Sequence, residues 1–331
     1  MNRHDPLKVL ISGGKPAGGL SSFAAALREG FEALGIPAEV IPPSRIFTRW
    51  KDLRDPRVLK ILSTSAVFAA PLARHAICVA HGFPRADVQG WVKLAGILAS
   101  YKLANWNSRL VTVSHYAAVH LRTIFNLRVD AVIHNPINEM FLLPSGNSAP
   151  LREYIAFAGR LHPAKGLDRV FPAICALVHE TPGLRAVIIG DGELRPALQS
   201  AAPAGSRIEF TGPLPQSAVR DWLRRTRVFV SGCETEALGI GYLEALSQGC
   251  AVVMPASGGG LEIAPELIGD AIHLYSGAGS EPVARALRNA LSAAPAAVSL
   301  AAYAPRTVAQ AYLSADDCRS TEPALAVEAV S

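Results

Sequence analysis

The chain has 331 residues, half of them hydrophobic and 18% charged, enough for two ordinary domains with buried cores. Its five cysteines (Cys78, Cys175, Cys233, Cys250 and Cys318) form no CxxC pair and are odd in number, which argues against a disulfide framework or a cysteine zinc site and for a reducing compartment. Residues 1–150 hold 17 Lys+Arg against 9 Asp+Glu and the remainder 15 against 18, so a basic half of +8 adjoins a mildly acidic half of −3.

The basic residues are dispersed and aromatics make up only 7% of the chain, so an anionic lipid surface ranks above nucleic acid as the partner of the basic half. No uncharged apolar run approaches the roughly 18 residues of a spanning helix. The start MNRHDPLKVLISGG puts charge where a signal peptide needs its apolar stretch. A cytoplasmic protein is expected, with peripheral attachment to the inner face of the cytoplasmic membrane as an option.

In chain order, KVLISGG (8–14), a helical stretch from Leu20 to Leu34 and AEVIPP (38–43) read as a βαβ opening. Apolar strands follow at AICVAHG (76–82), RLVTVS (109–114) and DAVIHNP (130–136), separated by segments long enough for parallel crossovers. PSGNSAP (144–150) is the best linker, which gives domains of 1–147 and 148–331 with a loose tail after about 319. The alternation restarts with YIAFAGR (154–160), a helix over 167–179, AVIIGDG (186–192), RIEFTG (207–212) and RVFVSG (227–232). A helix over 239–248, CAVVMP (250–255) and AIHLYS (271–276) complete it. The fold class is α/β: two Rossmann-like βαβ domains facing each other across a cleft, where a ligand is expected.

The loop GGKPAGGLSS (13–22) sets bare amides at a helix N-terminus, which suits a phosphate or sugar hydroxyl ahead of a glycine turn serving only helix–strand packing. It is neither a P-loop nor GxGxxG, although glycine spacing alone does not dismiss a dinucleotide enzyme. In GRLHPAKGLDRV (159–170), Arg160 and Lys165 follow a strand directly, and a guanidinium fork plus a mobile ammonium suit a diphosphate. In ETEALGIGYLEALSQG (234–249), a helix starting near Gly239 leaves Glu236 in the loop ahead of it and Glu244 one turn in. Both carboxylates then face one ligand, while the amides of Gly239, Ile240 and Gly241 point at its phosphate.

These residues resemble the retaining nucleotide-sugar glycosyltransferases of the GT-B fold, group 1 (glycosyltransferase family 4-like). The motifs are GRLxxxKG (159–166), IIGDGELRPALQ (188–199), FTG (210–212), Glu236 with Glu244 as E-x7-E, EALSQGCAVV (244–253) and GGLEI (259–263), in order across residues 154–275. In the first half the resemblance rests on the early GG, on His81 with Gly82, on VSHYAAVHL (113–121) and on VIHNPI (132–137).

The resemblance implies that Arg160 and Lys165 bind the donor diphosphate and stabilise charge on the leaving group. It further implies that Glu236 holds hydroxyls of the donor sugar, Glu244 takes the ribose hydroxyls, Gly14 admits donor against backbone, His81 sits near the transferred sugar and Glu262 supports the GGLEI loop. The candidate catalytic residues are therefore His81, Arg160, Lys165 and Glu236, and the candidate donor site is Gly14, Arg160, Lys165, Glu236, Gly239, Ile240 and Glu244. No DxD sits in a strand-end loop and two cations can stand in for a metal, so no metal and no cofactor beyond the UDP- or GDP-sugar substrate is expected.

The implied reaction is transfer, with retention of configuration, to a glycan or lipid-linked glycan of a cell-surface polysaccharide or lipopolysaccharide. A front-face route would need no protein nucleophile. Two rivals are a nucleotide-sugar epimerase or hydrolase of the same fold, and an inactive GT-B binding module. Pro213 after FTG lacks an N–H for a base edge, and Leu238 stands where an aromatic often forms a wall of the donor pocket. A first domain of only about 145 residues favours an extended or lipid-linked acceptor.

Several residues keep two readings. His81 ends an apolar strand, as a structural histidine or a site residue does; His115 suits a helix cap or an acceptor contact, and His162 a solvated loop or a ligand. Cys233 and Cys250 are expected to be buried packing. The segment Gln89–Trp106 interleaves Trp91, Leu94, Ile97, Leu98, Tyr101, Leu103 and Trp106 with Lys93 and Lys102, which fits a membrane-surface helix or one packed on the sheet.

Overall fold

Residues 76–80, AICVA, are buried at every position, as a strand covered on both faces of a parallel sheet must be. The computed structural model describes residues 6–13, 19–74, 76–85, 90–143, 151–263, 265–293 and 298–317. The first sheet contains β1 (Lys8–Ser12), β2 (Ala38–Ile41), β3 (Val58–Ser63), β4 (Ala76–Ala80), β5 (Arg109–Thr112) and β6 (Ala131–Val132), in the order β2-β1-β3-β4-β5-β6. The second contains β7 (Tyr154–Ala158), β8 (Arg185–Ile189), β9 (Ile208–Gly212), β10 (Thr226–Val230), β11 (Ala251–Pro255) and β12 (Ile272–Tyr275), in the order β12-β11-β10-β7-β8-β9. Every pairing between these strands is parallel. Strand order reverses between β1 and β3 and between β7 and β10, and each reversal opens a crevice at the carboxyl ends of the strands.

The central strand β3 is absent from the expected series, because Lys60 interrupts VLKILS. The structure buries that lysine completely and satisfies its ammonium with the carbonyls of Asp55, at 2.6 Å, and Arg74. The expected second domain of 148–331 also needs correction at its end. The helix Pro305–Asp317 returns to the first domain and packs on the helix Gly19–Glu32, with Tyr312 and Ala309 in one core with Phe23, Leu27 and Phe31. Gly30 permits this approach, since a Cβ there would lie 2.1 Å from the Pro305 carbonyl oxygen. The expected boundary at 147/148 lies outside the described residues.

At the second crevice two backbones touch. Gly166, with φ +64°, precedes the helix Leu167–Glu180, and a Cβ on it would lie 2.1 Å from the carbonyl oxygen of Gly232, just beyond β10. Gly166→Ala is expected to lose ~1–3 kcal/mol from backbone strain alone and to lower the melting temperature by several degrees in a thermal scan. An unchanged melting temperature would show that the two loops can part freely.

Candidate active site

Lys165 ends the 3-10 turn Pro163–Lys165 after β7, and Glu236 lies in the loop after β10, so the two meet across the second crevice. The Lys165 Nζ donates to Glu236 Oε2 at 2.6 Å, and both side chains are part-buried. Burial works against the Lys165 charge, but Glu236 outweighs it and holds the ammonium pKa above its ordinary value, with Arg160 opposing. Arg160 itself is exposed. A second pair lies beside the first, Arg169 to Glu234, and Arg169 Nη2 also donates to the Gly232 carbonyl at 3.0 Å.

Gly239, with φ +92°, precedes the helix Ile240–Ser247, whose fifth residue is Glu244. The sequence expectation of Glu236 ahead of the helix and Glu244 one turn in describes this arrangement. Glu244 is part-buried with no charge partner among the described residues to offset its desolvation, and burial pushes its pKa up to about 8. Gln216, at the start of the helix Gln216–Arg225, donates from Nε2 to Ser22 Oγ at 2.6 Å and reaches Glu244 Oε1 at 3.4 Å. Ser22 belongs to the first domain, so this amide links the Glu244 carboxyl to the opposite side of the cleft. Gly14 lies outside the described residues.

The first domain closes on these loops with the segment after β4. A Cβ on Gly82 would touch Ala237 at 3.4 Å, and Arg85 donates to Thr235, next to Glu236. His81 packs edge-on against Phe23, with ring centroids 4.4 Å apart, and its Nε2 is buried with no hydrogen-bond partner among the described residues. Burial lowers its pKa to about 4, with Asn135 acting weakly against this, so His81 is neutral at pH 7 and serves hydrogen bonding rather than charge. Phe83 stacks on His120 at 4.1 Å, and Tyr116 packs against both rings at 4.4 and 5.6 Å, giving the first domain an aromatic corner at the cleft.

Glu262 takes a larger part than support of its loop. Its carboxylate accepts from the backbone N–H groups of His115 at 2.7 Å and Tyr116 at 2.6 Å, at the N-terminus of the first-domain helix His115–Thr123. Ser114 caps the same helix through Ala117 N at 3.1 Å, so the His115 side chain does neither job and stands exposed. Glu262 lies 3.6 Å from His134 Nε2 as well. A carboxylate on a helix N-terminus is favourable, and Glu262→Ala is expected to cost ~0.5–2 kcal/mol, read as a lowered melting temperature. Retention of full stability would mean that water replaces the carboxylate without loss.

Other expectations resolve locally. His162 Nδ1 accepts from Ala164 N at 3.1 Å and so caps the turn that presents Lys165. Cys233 and Cys250 are buried, as is Cys78. Leu238, expected as a wall of the donor pocket, is 1% exposed and packs in the core with Tyr242, because the loop turns its side chain inward. Sequence reading missed Ser22, Arg85, Thr235 and Gln216, which gain meaning only through contacts 28 to 194 residues apart. Among the described residues, no three His, Cys, Asp or Glu side chains gather as a metal site and no helix is long and apolar enough to cross a membrane.

Two parallel six-stranded domains meeting at their strand ends, with a cation and a carboxylate facing across the crevice of the second, define the GT-B architecture. Residues 152–293 match the family model described as glycosyl transferases group 1. The chain is 30% identical over 155 residues to a D-inositol 3-phosphate glycosyltransferase of Streptomyces scabiei, a match covering 40% of this chain and 34% of that protein. The chain thus spans about a third of the length of the curated relatives it matches. Among solved structures, Anabaena HepE in complex with UDP and glucose superposes with a TM-score of 0.66 at 16% identity, covering 95% of each chain. WaaG, a glycosyltransferase involved in lipopolysaccharide biosynthesis, does so with 0.63 at 14% identity and 95% of each chain.

Proposed function

We propose that this protein is a glycosyltransferase that moves a sugar from a UDP- or GDP-sugar to a glycan or lipid-linked glycan acceptor, with retention, in the assembly of a cell-surface polysaccharide or lipopolysaccharide. The observation that carries the reading is the Lys165–Glu236 pair at the crevice of the group 1 domain, with Glu244 one helical turn beyond. The UDP and glucose held by HepE support the donor class, and the pathway of WaaG supports the acceptor class.

In this reading Arg160 and Lys165 neutralise the donor diphosphate, and no metal is required. Glu236 fixes the sugar hydroxyls while its carboxylate keeps Lys165 charged, and Glu244 takes the ribose hydroxyls. The acceptor oxygen forms its bond to the anomeric carbon on the face from which the phosphate leaves. The anomeric carbon–phosphate oxygen bond breaks, and the acceptor proton passes to the departing phosphate. Neutral His81 lies on the first-domain side as a hydrogen-bonding partner for the sugar. The protein works in the cytoplasm, at the inner face of the membrane that carries its acceptor.

The test is thermal unfolding with UDP, GDP, ADP and NAD in parallel, since a ligand at 100 times its dissociation constant adds ~2.7 kcal/mol. Stabilisation by one nucleoside diphosphate supports the reading and identifies the base. Stabilisation by NAD alone, or by none, overturns it in favour of a dehydrogenase or a binding module. Rapid nucleotide release from the matching sugar nucleotide without any acceptor would instead favour a hydrolase.

A further inference from the structure

Of the fifteen large apolar side chains exposed among the described residues, eight fall between Phe47 and Trp106. They sit on four consecutive pieces: the 3-10 turn Pro43–Arg49, the helix Trp50–Arg54, the 3-10 turn Thr64–Leu72 and the helix Trp91–Asn107. Each piece links strands that advance in one direction along β2-β1-β3-β4-β5, so right-handed crossover puts all four on the same face of the first sheet. Their inward residues Ile46, Leu53, Val67, Tyr101 and Ala104 accordingly share one core. Their outward residues, among them Phe47, Trp50, Phe68, Trp91 and Trp106, form the outer surface of that layer.

The helix Trp91–Asn107 packs on the sheet along one side and leaves the other exposed. Leu94 and Tyr101 face the protein, while Val92, Ala95, Ala99, Leu103 and Trp106 form an exposed stripe at helical spacing. Gln89, the expected start of the segment, lies outside the described residues.

Lys51, Arg54, Lys93 and Lys102 are exposed within the same layer. The acids described there are Asp52 and Asp55, both part-buried and paired with Arg49 at 2.6 Å and Arg57 at 2.9 Å. Among the described residues the layer therefore presents tryptophans and exposed cations, with its carboxylates part-buried and paired, a combination that matches a bilayer interface bearing anionic headgroups.

From this surface we infer that the first domain docks flat on an anionic lipid bilayer through its β2–β5 crossover layer. The helix runs antiparallel to the strands, so Trp91 stands at the strand-end edge that carries the cleft and Trp106 about 22 Å away at the far edge. Docking on this layer brings the mouth of the cleft to the membrane surface, where a lipid-borne acceptor would be found. That last link rests on the function proposed above, whereas the binding of the surface does not.

The test is co-sedimentation of the full chain with phosphatidylethanolamine–phosphatidylglycerol vesicles and with phosphatidylcholine vesicles, at low and high salt. The expected result is binding to the anionic vesicles alone, released by salt. Trp91→Ser with Trp106→Ser, and separately Lys93→Glu with Lys102→Glu, are each expected to weaken binding at least ~10-fold, each cation being worth ~5-fold. All four side chains are exposed, so the variants should keep the wild-type thermal shift with nucleotide, which verifies folding in the same samples. Absent or salt-insensitive binding, or unchanged binding in both variants, overturns the inference. So does self-association without vesicles that the tryptophan variant abolishes, which would assign the layer to a second copy. Vesicle binding without any nucleotide-induced shift would leave the docking face standing and remove the proposed enzyme activity.

Discussion

Glu236→Ala is expected to lower kcat for sugar transfer by ~10²–10³-fold while changing the dissociation constant of free nucleotide by no more than about threefold. The asymmetry follows from position. Glu236 lies in the loop ahead of the helix Ile240–Ser247 and its carboxylate accepts from Lys165 at 2.6 Å, so under the proposed function its removal affects the sugar and the leaving group together. Burial already pulls on the Lys165 charge, and without Glu236 the ammonium pKa falls. A cation that stabilises charge only as it develops contributes to the transition state, which appears in kcat.

Lys165→Ala should show a comparable loss of kcat and, because the proposed function places it on the diphosphate in the ground state, a weaker affinity for nucleotide as well. The double variant should lose far less than the product of the two, since each residue acts through the other. Calorimetric titration of nucleotide alongside steady-state nucleotide release separates these cases. If Glu236→Ala transfers sugar at the wild-type rate, the assignment of this pair is wrong.

Glu244→Gln should do two opposite things. An unfolded glutamate releases its proton near 4.5, whereas the folded Glu244 holds it to about pH 8 because burial disfavours the carboxylate. Between those values the folded state carries the extra proton, so stability falls as pH rises through this window, by at most ~1.4 kcal/mol per pH unit. Gln carries no such cost. The variant should melt with the wild type at pH 5 and above it at pH 8. Nucleotide affinity should drop ~10–100-fold, the worth of one or two charge-assisted hydrogen bonds to ribose hydroxyls.

For the wild type, nucleotide affinity should rise from pH 6 towards pH 8 and then level off, because the carboxylate form does the binding. Calorimetry in buffers of different ionisation enthalpy should show proton release at pH 7. Affinity independent of pH over this range would place the ribose elsewhere.

Much of this site was legible in the sequence because its parts are local. GRLxxxKG puts Arg160 and Lys165 within one loop after one strand, and E-x7-E sets Glu236 and Glu244 by the geometry of a single helix start. Spacing of that kind survives folding unchanged. His81 was placed correctly at the end of its strand, but its neutral state came from burial beside Phe23, which no local pattern shows.

The misses share one cause. β3 was hidden by Lys60, an apparent break in an apolar run that is harmless only because the carbonyls of Asp55 and Arg74 come together around its ammonium. The closing helix Pro305–Asp317 reads as part of the second domain until Gly30 lets it rest against the first.

The sequence by itself determined two βαβ units, every strand but β3 in chain order and the loop motifs around Arg160, Lys165, Glu236 and Glu244, because periodicity and loop spacing are properties of consecutive residues. Only the tertiary structure decided which groups face across the cleft: Glu262 on the helix at His115, Arg85 on Thr235, and Gln216 between Ser22 and Glu244. It also decided that the outer layer of the first sheet is at once aromatic and cationic. Those outcomes depend on which faces pack inward and how two domains meet, and the burial and electrostatics that set them act between residues far apart in the chain.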